Sequence, residues 1–291
     1  FPGRPVVRFG ILLPRESEPV DATGSTIAFS PDGSRIAYVG RAQSGQRIYV
    51  RGLDQLAPTP IQGSEGGILP FFSADGHWIA LFAQGKLKKA SIAAGAVQIS
   101  CDAPSARGGS WGPDGTIYFA PTNVSGLWKV AASGGTPQQV TRLDRSTGEV
   151  SHRWPQVLPG GKALLFTVWT GVGRNRQLIG VQSLTSGERR VLVRGGDTGR
   201  YISTGHLVYV TREDTLLAVA MDVTRLEVTS TAPVSLAEQV RWGTEGGGYA
   251  VSDTGQLVYV PGNPRLERRL VWVDRKGNVE PLSLTPRRFQ D

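Results

Sequence analysis

Thr26-Ile27-Ala28-Phe29-Ser30-Pro31-Asp32-Gly33-Ser34-Arg35-Ile36-Ala37-Tyr38-Val39 reads as two short apolar strands folded back on each other by a tight turn. In Ser30-Pro31-Asp32-Gly33 the proline presets φ at the second position and the glycine accepts a positive φ at the fourth, which suits a type I turn. A third strand is expected over 47–51 and an outer one over 59–61, with 40–46 as a polar surface loop. The unit recurs. Ser73-Ala74-Asp75-Gly76, Gly112-Pro113-Asp114-Gly115, Leu158-Pro159-Gly160-Gly161, Ile202-Ser203-Thr204-Gly205 and Ser252-Asp253-Thr254-Gly255 are equivalent turns, and successive turn glycines stand 43, 39, 46, 44 and 50 residues apart. A period of roughly 40 to 50 residues carrying several short strands marks propeller blades, each able to bury its faces only when neighbours stack on it.

The expected architecture is all-β: one six-bladed β-propeller of four-stranded antiparallel blades, with blades over about 26–64, 65–104, 105–148, 149–197, 198–243 and 244–284. Second strands such as Ile79-Ala80-Leu81-Phe82 and Leu207-Val208-Tyr209-Val210 are the most apolar, as strands sandwiched between blades should be. Residues 1–25 are read as a closing strand and linker, with 6–13 pairing with the outer edge of blade six and hiding it. The tail 285–291 reads as the start of a further repeat, and the start at Phe1-Pro2-Gly3-Arg4 as a cut from something longer.

Composition agrees with this reading. Thirty-eight Gly and 19 Pro among 291 residues suit many short strands with punctuated turns, and seven Trp, nine Phe and seven Tyr supply apolar surface for burial. A lone cysteine, Cys101, forms no internal disulfide and is read as a small packed side chain. The longest apolar run, 163–169, is far short of the roughly 18 residues of a membrane span. The formal charge of +8 raises nucleic acid as a partner, but the basic residues lie scattered in small groups, as on solvated blade rims, so none is expected.

The string Ser30-Pro31-Asp32-Gly33-Ser34-Arg35-Ile36-Ala37-Tyr38-Val39 resembles the WD40-like (PD40) repeats of the TolB propeller class. Longer strings, including Ser151-His152-Arg153-Trp154-Pro155-Gln156-Val157-Leu158-Pro159-Gly160-Gly161 and Leu270-Val271-Trp272-Val273-Asp274-Arg275-Lys276-Gly277, resemble the region that follows the catalytic domain in bacterial serine/threonine protein kinases. That resemblance implies a sensory or protein-interaction module, and further repeats beyond Asp291. The chain itself has no phosphate-cradling glycine loop with Lys, no His-Arg-Asp and no Asp-Phe-Gly, so it has no phosphoryl-transfer machinery.

Motifs with catalytic connotations read as structural. Gly108-Gly109-Ser110-Trp111-Gly112 matches a nucleophile elbow in letters, but an elbow needs a helix after its turn and here another strand follows. His77, His152 and His206 fall in different blades without metal-ligand spacing, and Asp32, Asp75 and Asp114 each belong to their own turn. No catalytic residue, metal or cofactor is assigned. Propeller ligands meet the surface around the central channel, so the residues just before the inner strands are the candidates: Glu65, Arg107, Trp111, His152, Arg153, Trp154, Arg200, Tyr201, Trp242 and Tyr249. Their arginines and aromatics suit a protein, peptide or small anionic ligand. The leading expectation is a non-enzymatic binding module of a bacterial kinase; the alternatives are a periplasmic TolB-like envelope protein and the propeller of a prolyl-oligopeptidase-type peptidase. Compartment stays open: extracytoplasmic if attached to a membrane-spanning kinase, otherwise cytoplasmic.

Overall fold

A computed structural model describes residues 7–20, 27–43, 45–93, 97–171, 177–230, 232–243, 246–262, 271–273 and 279–281. The turn that decides the fold makes its hairpin through its own side chains. Ser30 Oγ donates to Asp32 Oδ1 at 2.6 Å, the Ser34 amide donates to the same oxygen at 3.0 Å, and Gly33 takes φ 74°. With the Ser30 bond foremost, these donors hold the Asp32 carboxyl down at about 2. Ser73 and Asp75 repeat the arrangement in the next blade.

Blade one consists of β1 (Ile27–Phe29), β2 (Arg35–Ala42), β3 (Gly45–Gly52) and β4 (Thr59–Pro60). Blade two follows with β5 (Ile68–Phe72), β6 (Trp78–Ala83), β7 (Lys86–Ser91) and β8 (Val97–Asp102), and blade three with β9 (Gly109–Trp111), β10 (Thr116–Phe119), β11 (Trp128–Ala131) and β12 (Gln138–Gln139). Blade four holds β13 (Ser151–Val157), β14 (Ala163–Trp169), β15 (Leu178–Ser183) and β16 (Arg189–Arg194). Blade five holds β17 (Gly196–Ile202), β18 (His206–Thr211) and β19 (Leu216–Asp222), whose far edge pairs with both β20 (Glu227–Val228) and β21 (Val234–Ala237). Within each blade successive strands pair antiparallel.

Among the described residues the structure therefore shows five complete blades where six are expected. After the short pair β22 (Trp242–Gly243) and β23 (Gly246–Gly247), the sixth position holds the hairpin of β24 (Tyr249–Val251) and β25 (Leu257–Tyr259). A separate pair, β26 (Val271–Val273) and β27 (Val279–Pro281), covers part of the expected third and fourth strands, and the rest of those strands and 285–291 lie outside the described residues.

Buried apolar clusters sit at every junction. Ile48, Ile79 and Leu81 fill the space between blades one and two, and Phe82, Leu87 and Ile117 that between two and three. Leu164, Phe166 and Tyr118 join blades three and four, and Ile179, Leu165 and Leu207 join four and five. Val208 and Tyr249 join blade five to the β24–β25 hairpin, and Ala250 with Ile27 and Tyr38 joins that hairpin to blade one. Full burial of one such Leu or Ile stabilises by about 1.5–3 kcal/mol. The Asp253 amide donates to Pro31 O at 3.1 Å and Thr254 Oγ1 to Asp32 O at 3.3 Å, so the last hairpin meets the first and the chain closes on itself.

Three local expectations are corrected. Residues 7–13 form no strand; Val7, Phe9 and Leu12 are exposed, and the chain first pairs where Arg41 N donates to Glu18 O and Val20 N to Val39 O, extending the inner edge of blade one. Apolar alternation favours a strand only where a partner edge is offered. The loop expected over 40–46 is mostly strand, since β2 and β3 continue their ladder out to Ala42 and Gly45. Blade five begins earlier than expected, at Gly196, because a bulge carries pairing through a polar, glycine-rich stretch.

Candidate functional site

The inner strands enclose one cavity of about 520 Å³ along the ring axis. Counting back from the turn glycines gives its layers. Five residues before each glycine stand Ala28, Phe71, Ser110, Gln156, Arg200 and Ala250, and all six line the cavity. Two residues before each stand Pro31, Ala74, Pro113, Pro159, Ser203 and Asp253, a ring at the turn end that also lines it. Phe29, Trp111, Tyr201 and Tyr249 complete aromatic walls.

A backbone device recurs seven residues before the glycine. Leu69, Gly108, Trp154 and Thr198 all take positive φ, between 48° and 88°. In β5, β13 and β17 these residues fall at register shifts, between Ile68 and Phe71, Arg153 and Gln156, and Asp197 and Arg200. A bulge re-aims the side chains that follow it, here the layer holding Phe71, Gln156 and Arg200. A left-handed conformation costs a side-chain-bearing residue about 1–2 kcal/mol, so Leu69, Trp154 and Thr198 are held there by their surroundings.

Trp154 lines the cavity at the end opposite the turns. Its amide donates to Arg107 O at 2.8 Å, and the side chain is 1% exposed. A β-carbon on Gly108 would stand 2.9 Å from Trp154 Cδ1, and one on Gly246 2.9 Å from Cε2, so the indole is clamped between blade three and the segment leading into the sixth position. The Arg153 guanidinium lies 5.7 Å over the same indole and 4.1 Å over Trp169. Residues 151–155, 196–199 and 246–250, where the inner strands start, are all buried. These buried strand starts of blades four and five and of the last hairpin surround the indole at this end.

Arg200 lies beside the floor. Its Nη1 donates to Trp154 O at 2.9 Å and Gly199 O at 3.0 Å, while Nε and Nη2 make no hydrogen bond with the described residues. Burial pulls its pKa below the ordinary arginine value. The neighbouring carboxyl, Asp197, accepts instead from Thr198 Oγ1 at 3.1 Å, Thr167 Oγ1 at 3.3 Å and Trp242 Nε1 at 3.0 Å, and its burial raises its pKa. Among the described lining residues Arg200 is the one cation and Asp253 the one carboxylate. Gln156 bridges to the Tyr201 backbone through both amide atoms, and Ser110 Oγ accepts from the Val157 amide at 3.0 Å.

Of the ten residues singled out in the sequence, Trp111, Trp154, Arg200, Tyr201 and Tyr249 line the cavity. The others stand away from it. Glu65 pairs with Arg47 at 3.1 Å, Arg107 Nη1 donates to Ala106 O at 2.7 Å, and Trp242 serves Asp197. Arg153 donates to Ser151 Oγ at 2.7 Å. His152 is fully buried in a polar cluster: Nδ1 meets Thr141 Oγ1 at 2.7 Å, Nε2 meets Glu149 Oε2 at 3.1 Å, and Arg189 pairs with Glu149 at 2.9 Å. Thr141 Oγ1 accepts from the Leu127 amide, so its hydrogen is free for Nδ1 and the Nε2–H tautomer satisfies the cluster. Sequence reasoning missed Phe29, Phe71, Gln156 and the turn-end ring, although the common offset from the turn glycines was available to find them.

Ser110 sits in β9 with β10 after its turn, so no helix follows to make a nucleophile elbow. Among the described residues no group of His, Cys, Asp and Glu is placed to hold a metal ion, and no helix is long and apolar enough to cross a membrane.

No family model matches the sequence, and no curated protein matches it. Solved structures match in fold. TolB from Acinetobacter baumannii aligns with a TM-score of 0.58 at 16% identity, over 77% of this chain and 56% of that one, so the chain spans little more than half of that TolB's length. The β-propeller domain of Cps50 (Swd1) from Myceliophteria thermophila aligns with a TM-score of 0.58 at 13% identity, over 92% of this chain and 89% of that one. A chain of the nidogen/laminin complex aligns with a TM-score of 0.53 at 14% identity, over 72% and 78%. At these identities the likeness is one of fold: a propeller of four-stranded blades.

Proposed function

We propose that this chain is a non-enzymatic recognition module whose binding site is the axial cavity, and that a sixth blade grown from the β24–β25 hairpin completes its wall. One observation carries the reading: a concave, aromatic-walled space with a single lining cation that makes no salt bridge with the described residues, the buried Asp197 carboxyl attracting it only from beyond ion-pair distance. Concave, mostly apolar sites with few polar groups are where proteins hold ligands. The nidogen/laminin and mitotic checkpoint structures, similar in fold, are complexes between proteins, which favours a protein or peptide as occupant. The position of Ser110 on a strand supports recognition over bond cleavage.

A place in a bacterial serine/threonine kinase is the finer proposal, and it rests on the strings quoted from the sequence. The reading frame on either side of these residues tests it. Kinase loops upstream support it, whereas an envelope signal or a downstream hydrolase domain replaces it with one of the two alternatives.

The cavity reading has its own test, since Ala74 and Ser203 are exposed residues at the turn end and tolerate larger side chains without loss of core. Peptides selected from a displayed random library on the intact chain are expected to lose binding to the Ala74→Trp/Ser203→Trp variant. Equal binding to both proteins would place recognition elsewhere.

A further inference from the structure

Three features of the cavity, taken together, restrict what enters it. One end is narrowed by Trp154, clamped by Gly108 and Gly246, and the other end is the ring of Pro31, Ala74, Pro113, Pro159, Ser203 and Asp253. Between them the walls are aromatic and aliphatic. At the floor a guanidinium spends one nitrogen on Trp154 O and Gly199 O and leaves Nε and Nη2 unbonded by any described residue. Neither nitrogen is among the buried atoms that lack a partner, so both retain access to open space, and Arg200 itself lines the cavity. Such a pair of N–H groups matches the two oxygens of a carboxylate.

We infer that the channel takes a carboxylate carried on an apolar body, inserted carboxylate-first through the turn-end ring so that the anion meets Nε and Nη2 of Arg200 while the body lies against Phe29, Phe71 and Trp111. The inference rests on the reading of the cavity as the recognition site. Two orientations compete, and charge decides between them. Asp253 in the entrance ring repels an anion that lingers there, while the floor offers the sole cation among the described lining residues. A free carboxylate of this kind ends a peptide chain or heads a small aromatic acid.

The test compares acids with their amides by calorimetric titration of the whole chain. The probes are 3-phenylpropionate and its amide, and a hexapeptide ending in Pro-Phe with a free α-carboxylate and the same peptide amidated. An acid is expected to bind about 10- to 100-fold more tightly than its amide, as charge-assisted hydrogen bonds imply. Arg200→Gln is expected to erase that ratio and Arg200→Lys, which keeps the charge without the fork, to reduce it. The acid–amide comparison on the unaltered protein needs no variant, so a folding defect in either substitution leaves it intact. Preference for the peptide acid assigns a chain terminus, and preference for phenylpropionate a small acid. Equal binding of acid and amide, both abolished by Ala74→Trp/Ser203→Trp, overturns the carboxylate inference and leaves the cavity reading standing. Acid binding that the double variant leaves unchanged overturns both, and no binding by any probe overturns the inference.

Discussion

Gly246 approaches Trp154 so closely that a β-carbon on the glycine would stand 2.9 Å from Cε2 and 3.0 Å from Nε1 of the indole. The two residues are 92 positions apart, and their contact fixes the indole at the end of the channel opposite the turns. Trp154 is strained at φ 48°, and its Nε1 is buried with no hydrogen-bond acceptor among the described residues. Such a donor costs about 1–3 kcal/mol. The surrounding clamp therefore holds the indole where its own backbone and N–H oppose it.

Gly246→Ala adds a methyl group against that ring at a backbone φ of 94°, which an L side chain adopts only under strain. A loss of about 2–4 kcal/mol is expected from overpacking and strain combined. Urea denaturation checks it. A stability equal to the unaltered protein would show that the indole is free to move aside.

The cluster around His152 makes stability depend on pH. Burial pushes the His152 pKa below its ordinary 6.5, outweighing the bond to Glu149. Burial would raise the Glu149 carboxyl, but bonds from His152 and the Asp144 amide and the charge of Arg189 hold it below its ordinary 4.5. In both cases the unfolded chain binds protons more readily, so their contribution is present above the unfolded pKa and falls as pH drops. Asp197 acts oppositely: its raised pKa favours the folded state below its ordinary 3.8, and that contribution is lost as pH rises through the folded value. The histidine contribution, about 1.4 kcal/mol for each unit of depression, is separated from that of Asp197 by comparing the protein with a variant that lacks the imidazole. On going from pH 7.5 to 5.5 the urea midpoint of the unaltered protein is expected to change in the destabilising direction relative to that of His152→Gln, and parallel profiles would contradict the buried imidazole.

Cys101 is expected to be a poor nucleophile. Burial first, and then the Asp102 charge, push its thiol up to about 11, and Lys86 opposes them. At pH 7.5 the thiolate is scarce, so reaction with a disulfide reagent should run at least about tenfold slower than for an ordinary cysteine. Labelling at the rate of a free thiol would contradict the packing of β8.

Much of the fold was legible because its signals are local. Ser30-Pro31-Asp32-Gly33 and its relatives carry their own hydrogen bonds, so each hairpin could be placed from a few residues. What escaped depends on distant partners. Glu18 pairs directly with Arg41, with the inner strand β1 between them in sequence only, and Gly196-Asp197-Thr198-Gly199 looks like a loop until Thr167 and Trp242 satisfy its carboxyl. The site divides the same way. Arg200 and Trp154 stood out as large residues ahead of inner strands, but the fixed position of the indole needs Gly246, one glycine among 38. His152, expected at the channel, is held from it by Glu149 three residues earlier. That pairing was available in the sequence as a short-range spacing.

The closed ring is the claim on which the axial cavity depends. Asp32 and Thr254 are exposed, lie 222 residues apart in sequence, and are joined by the Thr254 Oγ1 to Asp32 O bond at 3.3 Å. An Asp32→Cys/Thr254→Cys variant treated with a short bis-maleimide should give an intramolecular cross-link, read as a monomeric looped species in mass spectrometry after proteolysis. Full labelling of both thiols by a monofunctional maleimide, with no cross-link from the short reagent, would mean that the first and last blades do not meet.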